Sequence, residues 1–147
     1  MKRIALLIAR IALAAIFIAA GYLKLREPWL QFAVSISTFK LVPSDWLEPM
    51  ARIIPWAELA LGIAILSGIA LRWFALIATL LLTLFFAVLI RSYALGMQVD
   101  CGCFGPGEVL GPKRLAEEAA MLALALVVTV AAFRTASANA TRRRRFA

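Results

Sequence analysis

The sequence predicts an all-α integral membrane protein: a four-helix bundle with a short interfacial helix in its first outer loop. Hydrophobic residues make up 64% of the 147 residues and the mean hydropathy is +0.92, whereas a soluble domain is about 45–50% apolar. Four stretches, at about 4–23, 53–71, 73–90 and 115–133, approach the roughly 20 apolar residues that a membrane span needs. The segments between them are too short for a soluble core. We therefore expect a single domain over residues 1–147, with a basic cytoplasmic tail at 134–147 and the lipid bilayer as its surroundings.

The first apolar stretch fits two kinds of segment. Lys2 and Arg3 precede it and it ends in the small residues of "IAAG", as in a secretory signal peptide. We favour a retained membrane span, because Tyr22 continues directly into a motif described below.

The charged residues indicate an orientation. Basic residues divide almost evenly between the two sides of the spans, so the positive-inside rule alone decides little. The run Arg142 to Arg145 is hard to translocate and suits an anionic inner leaflet. The acids other than Glu58 all fall on the outer side or at its helix ends: Glu27, Asp45, Glu48, Asp100, Glu108, Glu117 and Glu118. We expect a multi-pass protein of the bacterial inner (cell) membrane, with both termini in the cytoplasm.

Nucleic-acid binding is the rival interpretation of the arginine run. We expect no nucleic-acid partner, because nothing else in the chain resembles a nucleic-acid-binding module.

Two further helical segments are predicted, one that begins on the outer side and continues through the second span, and one within the first outer loop. A helix can begin at Ser44, a good N-cap residue followed by an acid, and run through Pro49 and Pro55 to Leu71. The first outer loop, "REPWLQFAVSISTFKLVP", is too apolar for a solvated linker, and its apolar residues Trp29, Ala33, Ile36 and Phe39 recur at helical spacing. We predict that it forms a short helix on the membrane surface, which caps the outer mouth of the bundle.

The second outer loop contains "VDCGCFG", with the two cysteines of the chain, Cys101 and Cys103. Two cysteines without any histidine cannot complete the four ligands of a structural zinc site, unless a dimer pools its thiolates, so we expect no metal. Two inert residues placed by chance are disfavoured, because the segment has the glycine and proline content of a loop. Free exposed thiols do not stay inert in an oxidising compartment.

A disulfide between Cys101 and Cys103 would span one residue. The two Cα atoms must approach to about 4.4–6.8 Å, and Gly102 provides backbone freedom for so tight a turn. Strained or exposed disulfides are typically labile or catalytic. Closing so small a ring restricts the unfolded chain little, which argues against a purely stabilising role. The residues favour a redox-active pair on the extracytoplasmic side, with a fixed staple as the alternative.

Three motifs resemble one family of membrane proteins. They are "GYLKLREP" at the end of the first span, "PWAELALG" in the second and "CGCFG" before the fourth. In this order, over nearly the whole chain, they resemble methylamine-utilisation protein MauE and its DoxX-like relatives. The resemblance implies a four-helix membrane bundle with thiol–disulfide chemistry outside the cytoplasm. It further implies a thioredoxin-like or secreted redox protein as partner, and a quinone as cofactor.

Glu58 is the ionisable residue that lies inside the outer half of a span. Such a residue is costly to bury and indicates a functional site. Lys24 or Arg91 can reach it along an aliphatic stem, whereas Arg10 lies too near the inner face. Glu58 is therefore either part of an ion pair that fixes helix register, or the proton donor or acceptor that couples thiol oxidation to quinone.

The candidate site thus has catalytic and cofactor-binding members. Cys101, Cys103 and Glu58 are the candidate catalytic residues. The candidate quinone contacts are Lys24, Arg91 and Trp56, of which Trp56 also suits an aromatic belt at the outer interface.

The leading functional hypothesis is a membrane thiol–disulfide oxidoreductase. In it, Cys101 and Cys103 exchange a disulfide with the extracytoplasmic partner, and electrons pass to or from the quinone. The alternative is a non-catalytic accessory or assembly subunit, with other membrane redox subunits as partners. A transporter ranks third, because only Arg10 and Glu58 support it as charges inside spans.

Overall fold

The computed structural model describes residues 2–100 and 109–145, and side chains over 4–100 and 109–137. It contains five helices in this part of the chain: α1 (Lys2–Arg26), α2 (Trp29–Thr38), α3 (Ser44–Ser67), α4 (Leu71–Ala94) and α5 (Pro112–Arg145). All except α2 are long and apolar enough to cross a membrane. The predicted fold class, an all-α membrane bundle with one extra short helix before the second span, is confirmed.

The turn between α3 and α4 comes earlier than the sequence predicted. We expected the helix from Ser44 to continue to Leu71, but α3 ends at Ser67. Gly68 adopts the left-handed conformation, with φ of 76°, and Ala70 follows with φ of 47°. Glycine occupies this conformation without steric cost and is a common helix terminator. The prediction of a helix reaching Leu71 is therefore wrong by one turn.

The helices associate chiefly as two pairs, α1 with α3 and α4 with α5. Two glycines allow the first pair to approach closely. A Cβ atom on Gly21 would lie 2.6 Å from the carbonyl oxygen of Pro55, and one on Gly62 would lie 2.9 Å from the backbone nitrogen of Ile18. In the second pair, the buried hydroxyls of Thr79 and Thr129 lie 2.9 Å apart. Small residues and hydroxyl contacts of this kind are the usual means by which membrane helices pack.

Two apolar clusters lie at different levels of the bundle. The larger one lies toward the α3–α4 turn and joins all four spans through Leu13, Ala14, Phe17, Leu61, Ile65, Ala75, Ala78, Ala125 and Val128. The smaller one lies at the other end, where α2 covers the bundle, and consists of Phe39, Leu89, Val99 and Leu110. We call this second end the α2 end.

The loop between α4 and α5 is anchored at its base. Asp100 and Val109 form an isolated antiparallel bridge, and the Leu110 amide donates to the carbonyl of Val99 at 3.0 Å. Val99 and Leu110 are both buried in the smaller cluster. The base of this loop is therefore fixed to the α2 end of the bundle.

Candidate functional site

A buried ion pair joins α1 to α3. The Lys24 ammonium donates to both carboxylate oxygens of Glu58, at 2.6 and 2.8 Å. The side chains are 6% and 19% exposed. Side chains lean toward the N-terminus of their own helix. Because α1 and α3 run in opposite directions, Lys24 leans toward the α3–α4 turn and Glu58 toward the α2 end, so the two converge.

The short helix α2 covers this ion pair. The ring of Phe32 lies over the Lys24 ammonium, 5.1 Å from the nitrogen to the ring centroid. Ala33 and Ser35 of α2 are buried, whereas Leu30 and Val34 are exposed. One face of α2 thus packs on the bundle, and it shields the pair from that side, in agreement with the capping role predicted for this segment.

Glu118 is a third ionisable side chain at the same level. It lies in the second turn of α5 and is 3% exposed. Its Oε2 atom has no hydrogen-bond partner within the described residues. Lys24 and Glu58 lie within electrostatic range of it. From the sequence, Glu118 counts among the outer acids at a helix end and does not stand out as a site residue.

These three side chains line one cavity of about 480 Å³ between the helices. Its walls are otherwise almost entirely apolar, with contributions from every helix; among them are Phe17, Phe32, Ile54, Leu82, Phe85 and Met121. Small-molecule sites typically have volumes of about 300–1,000 Å³ and apolar walls with a few polar groups. The cavity has both properties.

The cavity reaches the lateral surface of the bundle. Leu81 and Leu84 both line it and are 45% and 66% exposed. Both residues lie near the middle of α4, which is one of the four membrane-spanning helices. At this depth the surface of a membrane protein faces lipid hydrocarbon. The cavity is therefore accessible from the bilayer at its side, whereas α2 closes it at the α2 end.

The structure brings together only some of the predicted site residues. Lys24 and Glu58 form the ion pair, which is one of the two pairings predicted for Glu58. Arg91 is exposed at the end of α4, and Trp56 is 62% exposed on α3. Neither is among the described residues that line the cavity. Cys101 and Cys103 lie outside the described residues; in the sequence, Cys101 follows directly after the anchored Asp100.

Arg10 has a local role at the opposite end of the bundle. Its guanidinium donates to the carbonyl of Leu66 at 3.3 Å, in the last turn of α3. A cation near a helix C-terminus interacts favourably with the helix dipole and with its unpaired carbonyls. This position gives Arg10 a structural partner far from Glu58, so the two charges do not form a continuous polar path.

The fold and the site define a multi-pass helical membrane protein with an ion-paired, largely apolar cavity near one end of its bundle. The chain belongs to the MauE family: the family model described as methylamine utilisation protein MauE matches residues 2–131. This confirms the family resemblance drawn from the three motifs.

A curated relative and the solved structures complete the comparison. The methylamine utilization protein MauE of Methylophilus methylotrophus is 32% identical over 96 residues, which are 65% of this chain and 50% of the relative. The chain thus spans about half the length of that relative. No solved structure matches the chain.

Proposed function

We propose that the protein is a membrane thiol–disulfide oxidoreductase. Cys101 and Cys103 exchange a disulfide with a thioredoxin-like or secreted redox protein, and the electrons are exchanged with a quinone held in the cavity. The observation that carries this proposal is the Lys24–Glu58 pair in an apolar cavity at the α2 end. The loop that carries the cysteines is anchored at the same end. The name of the curated relative refers to methylamine utilisation, and we propose that this chain serves the same process.

The cavity fits a quinone in size, polarity and access. A quinone has an apolar body and two oxygens that accept hydrogen bonds, and it dissolves in the bilayer. The cavity offers about 480 Å³, apolar walls, a cluster of polar side chains and a lateral opening at Leu81 and Leu84. The unpartnered oxygen of Glu118 is a further polar atom that a ligand can satisfy. The residues present therefore suit this class of ligand.

Lys24 and Glu58 have separate tasks in this proposal. An ammonium has three N–H donors, and Lys24 directs two of them to Glu58. The third remains available to an acceptor in the cavity. Glu58 holds the ammonium in place and exchanges a proton with it, so that the pair can deliver a proton to the ligand or take one from it. When bound, a quinone supplies a two-electron, two-proton acceptor for the dithiol.

Sidedness follows from the same proposal. Disulfides persist in oxidising compartments and are rare in the cytosol. We place the α2 end, with Cys101, Cys103, Lys24 and Glu58, on the extracytoplasmic side of a bacterial inner membrane. Both termini then lie in the cytoplasm, as the arginine run near the C-terminus favours.

Labelling of engineered cysteines tests this orientation. In a Cys101→Ser, Cys103→Ser background we would introduce either Val109→Cys, next to the anchored loop, or Ser137→Cys, near the end of α5. Both positions are exposed. We expect a membrane-impermeant maleimide to label position 109 in intact cells, and position 137 only after the membrane is permeabilised. The reverse pattern would place the cysteines in the cytoplasm and overturn the proposed sidedness.

Trapping of mixed disulfides tests the function itself. Exchange proceeds through a mixed disulfide, so replacing the second-attacking cysteine leaves the partner covalently attached. We expect either Cys101→Ser or Cys103→Ser to accumulate an adduct with a thioredoxin-fold or secreted redox protein in cells, sensitive to reductant. The Cys101→Ser, Cys103→Ser double variant is the control and should give none. If neither single variant yields an adduct and the wild-type cysteines stay reduced under mild oxidant, the accessory-subunit alternative replaces the oxidoreductase.

A further inference from the structure

We propose that Glu118 is a second proton-exchanging residue of the site: its carboxyl contacts the polar head of the ligand and carries one of the two protons, while the Lys24–Glu58 pair carries the other. This inference rests on the proposed function, and it assigns a role to a residue that neither the motifs nor the family resemblance singles out.

The position of Glu118 suits contact with a ligand. It is 3% exposed, it lines the cavity, and its Oε2 has no hydrogen-bond partner among the described residues. A buried polar atom without a partner costs free energy, and native structures rarely keep one without a reason. A ligand oxygen in the cavity would provide the missing partner.

Glu118 differs from its neighbour Glu117 in its surroundings. Glu117 accepts a hydrogen bond from Arg114 at 2.6 Å, and its side chain is 40% exposed. The two residues are adjacent on α5, but Glu117 is paired with Arg114, whereas Glu118 lines the cavity. The chain thus supplies a cation to Glu117 at close range and leaves an oxygen of Glu118 unbonded within the described residues.

Glu118 is surrounded by charges of both signs. Those within electrostatic range are Lys24, Arg114, Glu117 and Glu58. Of the two cations, Lys24 already donates to both oxygens of Glu58. The apolar walls suit a neutral carboxyl, whereas Lys24 and Arg114 attract the anion. Both protonation states are thus accommodated, as a residue that gains and loses a proton requires.

The proton and electron balance agrees with two such groups. When Cys101 and Cys103 form a disulfide, two S–H bonds break, one S–S bond forms, and two electrons and two protons leave. A quinone that becomes a quinol takes up two electrons and two protons. Glu118 hands on one proton and the Lys24–Glu58 pair the other, and the two protons released by the thiols restore both groups. The same steps run backward if the disulfide is reduced.

The test uses full-length protein in detergent with a decyl-chain benzoquinone as the probe. Glu118→Gln keeps the shape of the side chain but cannot exchange a proton, and Glu117→Gln makes the same change one residue away, outside the cavity. With Cys101 and Cys103 in the dithiol form, we expect Glu118→Gln to reduce the quinone at least ~100-fold more slowly than wild type. General acid–base catalysis typically contributes a factor of this size. Glu117→Gln should stay close to wild type. Binding of the quinone, measured by calorimetry, should persist in both.

Two further readouts separate a chemical role from a structural one. The infrared difference spectrum between the quinone and quinol forms should contain a carboxyl band that Glu118→Gln removes and Glu117→Gln retains. Glu118→Leu should unfold at no lower temperature than wild type, because an unpartnered buried carboxyl contributes little to stability.

The outcomes are distinct. If Glu118→Gln reduces quinone as fast as Glu117→Gln, or if Glu118→Leu and Glu118→Gln both lose stability, the inference is wrong and the proposed function stands. If wild type exchanges disulfides with its partner but neither binds nor reduces the quinone, the quinone half of the proposed function fails and this inference fails with it.

Discussion

Replacing Lys24 by methionine is expected to lower the free energy of unfolding by about 3–5 kcal/mol, the usual cost of leaving a buried charge without its partner. The substitution keeps the length and apolar body of the side chain, but it leaves the Glu58 carboxylate without the ammonium that now donates to both of its oxygens. It also removes the cation that lies under the Phe32 ring. Chemical unfolding of purified protein in detergent, followed by circular dichroism, measures the loss.

Two variants control this experiment. Lys24→Met combined with Glu58→Met should recover most of the stability, because replacing both members of a buried pair by apolar groups is often neutral or favourable. Lys113→Met removes a lysine whose side chain is 90% exposed and whose nitrogen lies 3.9 Å from Glu117, and should cost less than about 1 kcal/mol. If Lys24→Met is as stable as Lys113→Met, the ion pair does not hold α1 to α3.

Glu58→Gln is expected to slow electron exchange with quinone by ~100-fold or more, the scale on which a missing proton carrier acts. Glutamine preserves the shape of the side chain and one hydrogen bond to Lys24, but it cannot pass a proton. Under the proposed function, disulfide exchange with a small model disulfide takes place at Cys101 and Cys103 and should be unchanged. Stopped-flow measurement of the two half-reactions, one with the model disulfide and one with quinone, separates these effects.

Glu48→Gln is the matched control for this variant. It makes the same change on the same helix, but Glu48 is 56% exposed and pairs with Arg52 at the surface. We expect wild-type rates in both half-reactions. If folded Glu58→Gln exchanges electrons with quinone at the wild-type rate, the role of Glu58 is only to fix the helix register. A large loss of rate at unchanged thermal stability would instead exclude the register role as the reason for the pair.

The sequence predicted four membrane-spanning helices because it contains four long apolar runs. It predicted α2 because apolar side chains at helical spacing need a surface to cover. It misplaced the end of α3, since Gly68 inside an apolar run looks like a packing residue as much as a terminator. The left-handed Gly68 and Ala70 become apparent only when the turn into α4 is built.

Lys24–Glu58 was one of two pairings that side-chain length allowed, with Arg91–Glu58 as the other. Reach alone could not decide between them. Which of the two pairings forms depends on which helices are in contact, and Gly21 and Gly62 allow α1 to pack against α3. Arg91 belongs to α4, which packs chiefly on α5, and its side chain is exposed.

Glu118 was missed for a related reason. Glu117 and Glu118 are adjacent acids near the start of a predicted span, and the sequence does not give the rotation of that helix about its axis. One of them has to face the bundle more than the other, because successive residues on a helix point about 100° apart. A signal was nevertheless present: an acid inside a span deserves the same functional interpretation as Glu58.

The arrangement of the helices as two pairs has a mechanical consequence. Lys24 and Glu58 belong to the α1–α3 pair, whereas Glu118 belongs to the α4–α5 pair, and the short turn from Gly68 to Ala70 links the pairs at the end away from the cavity. A hinge motion at this turn would move the α1–α3 pair away from the α4–α5 pair and widen the cavity. The Lys24–Glu58 ion pair would stay intact during such a motion, because both residues belong to the α1–α3 pair. The distance to Glu118 would change instead, so the width of a bound molecule would set how far apart the two carboxyl groups stand.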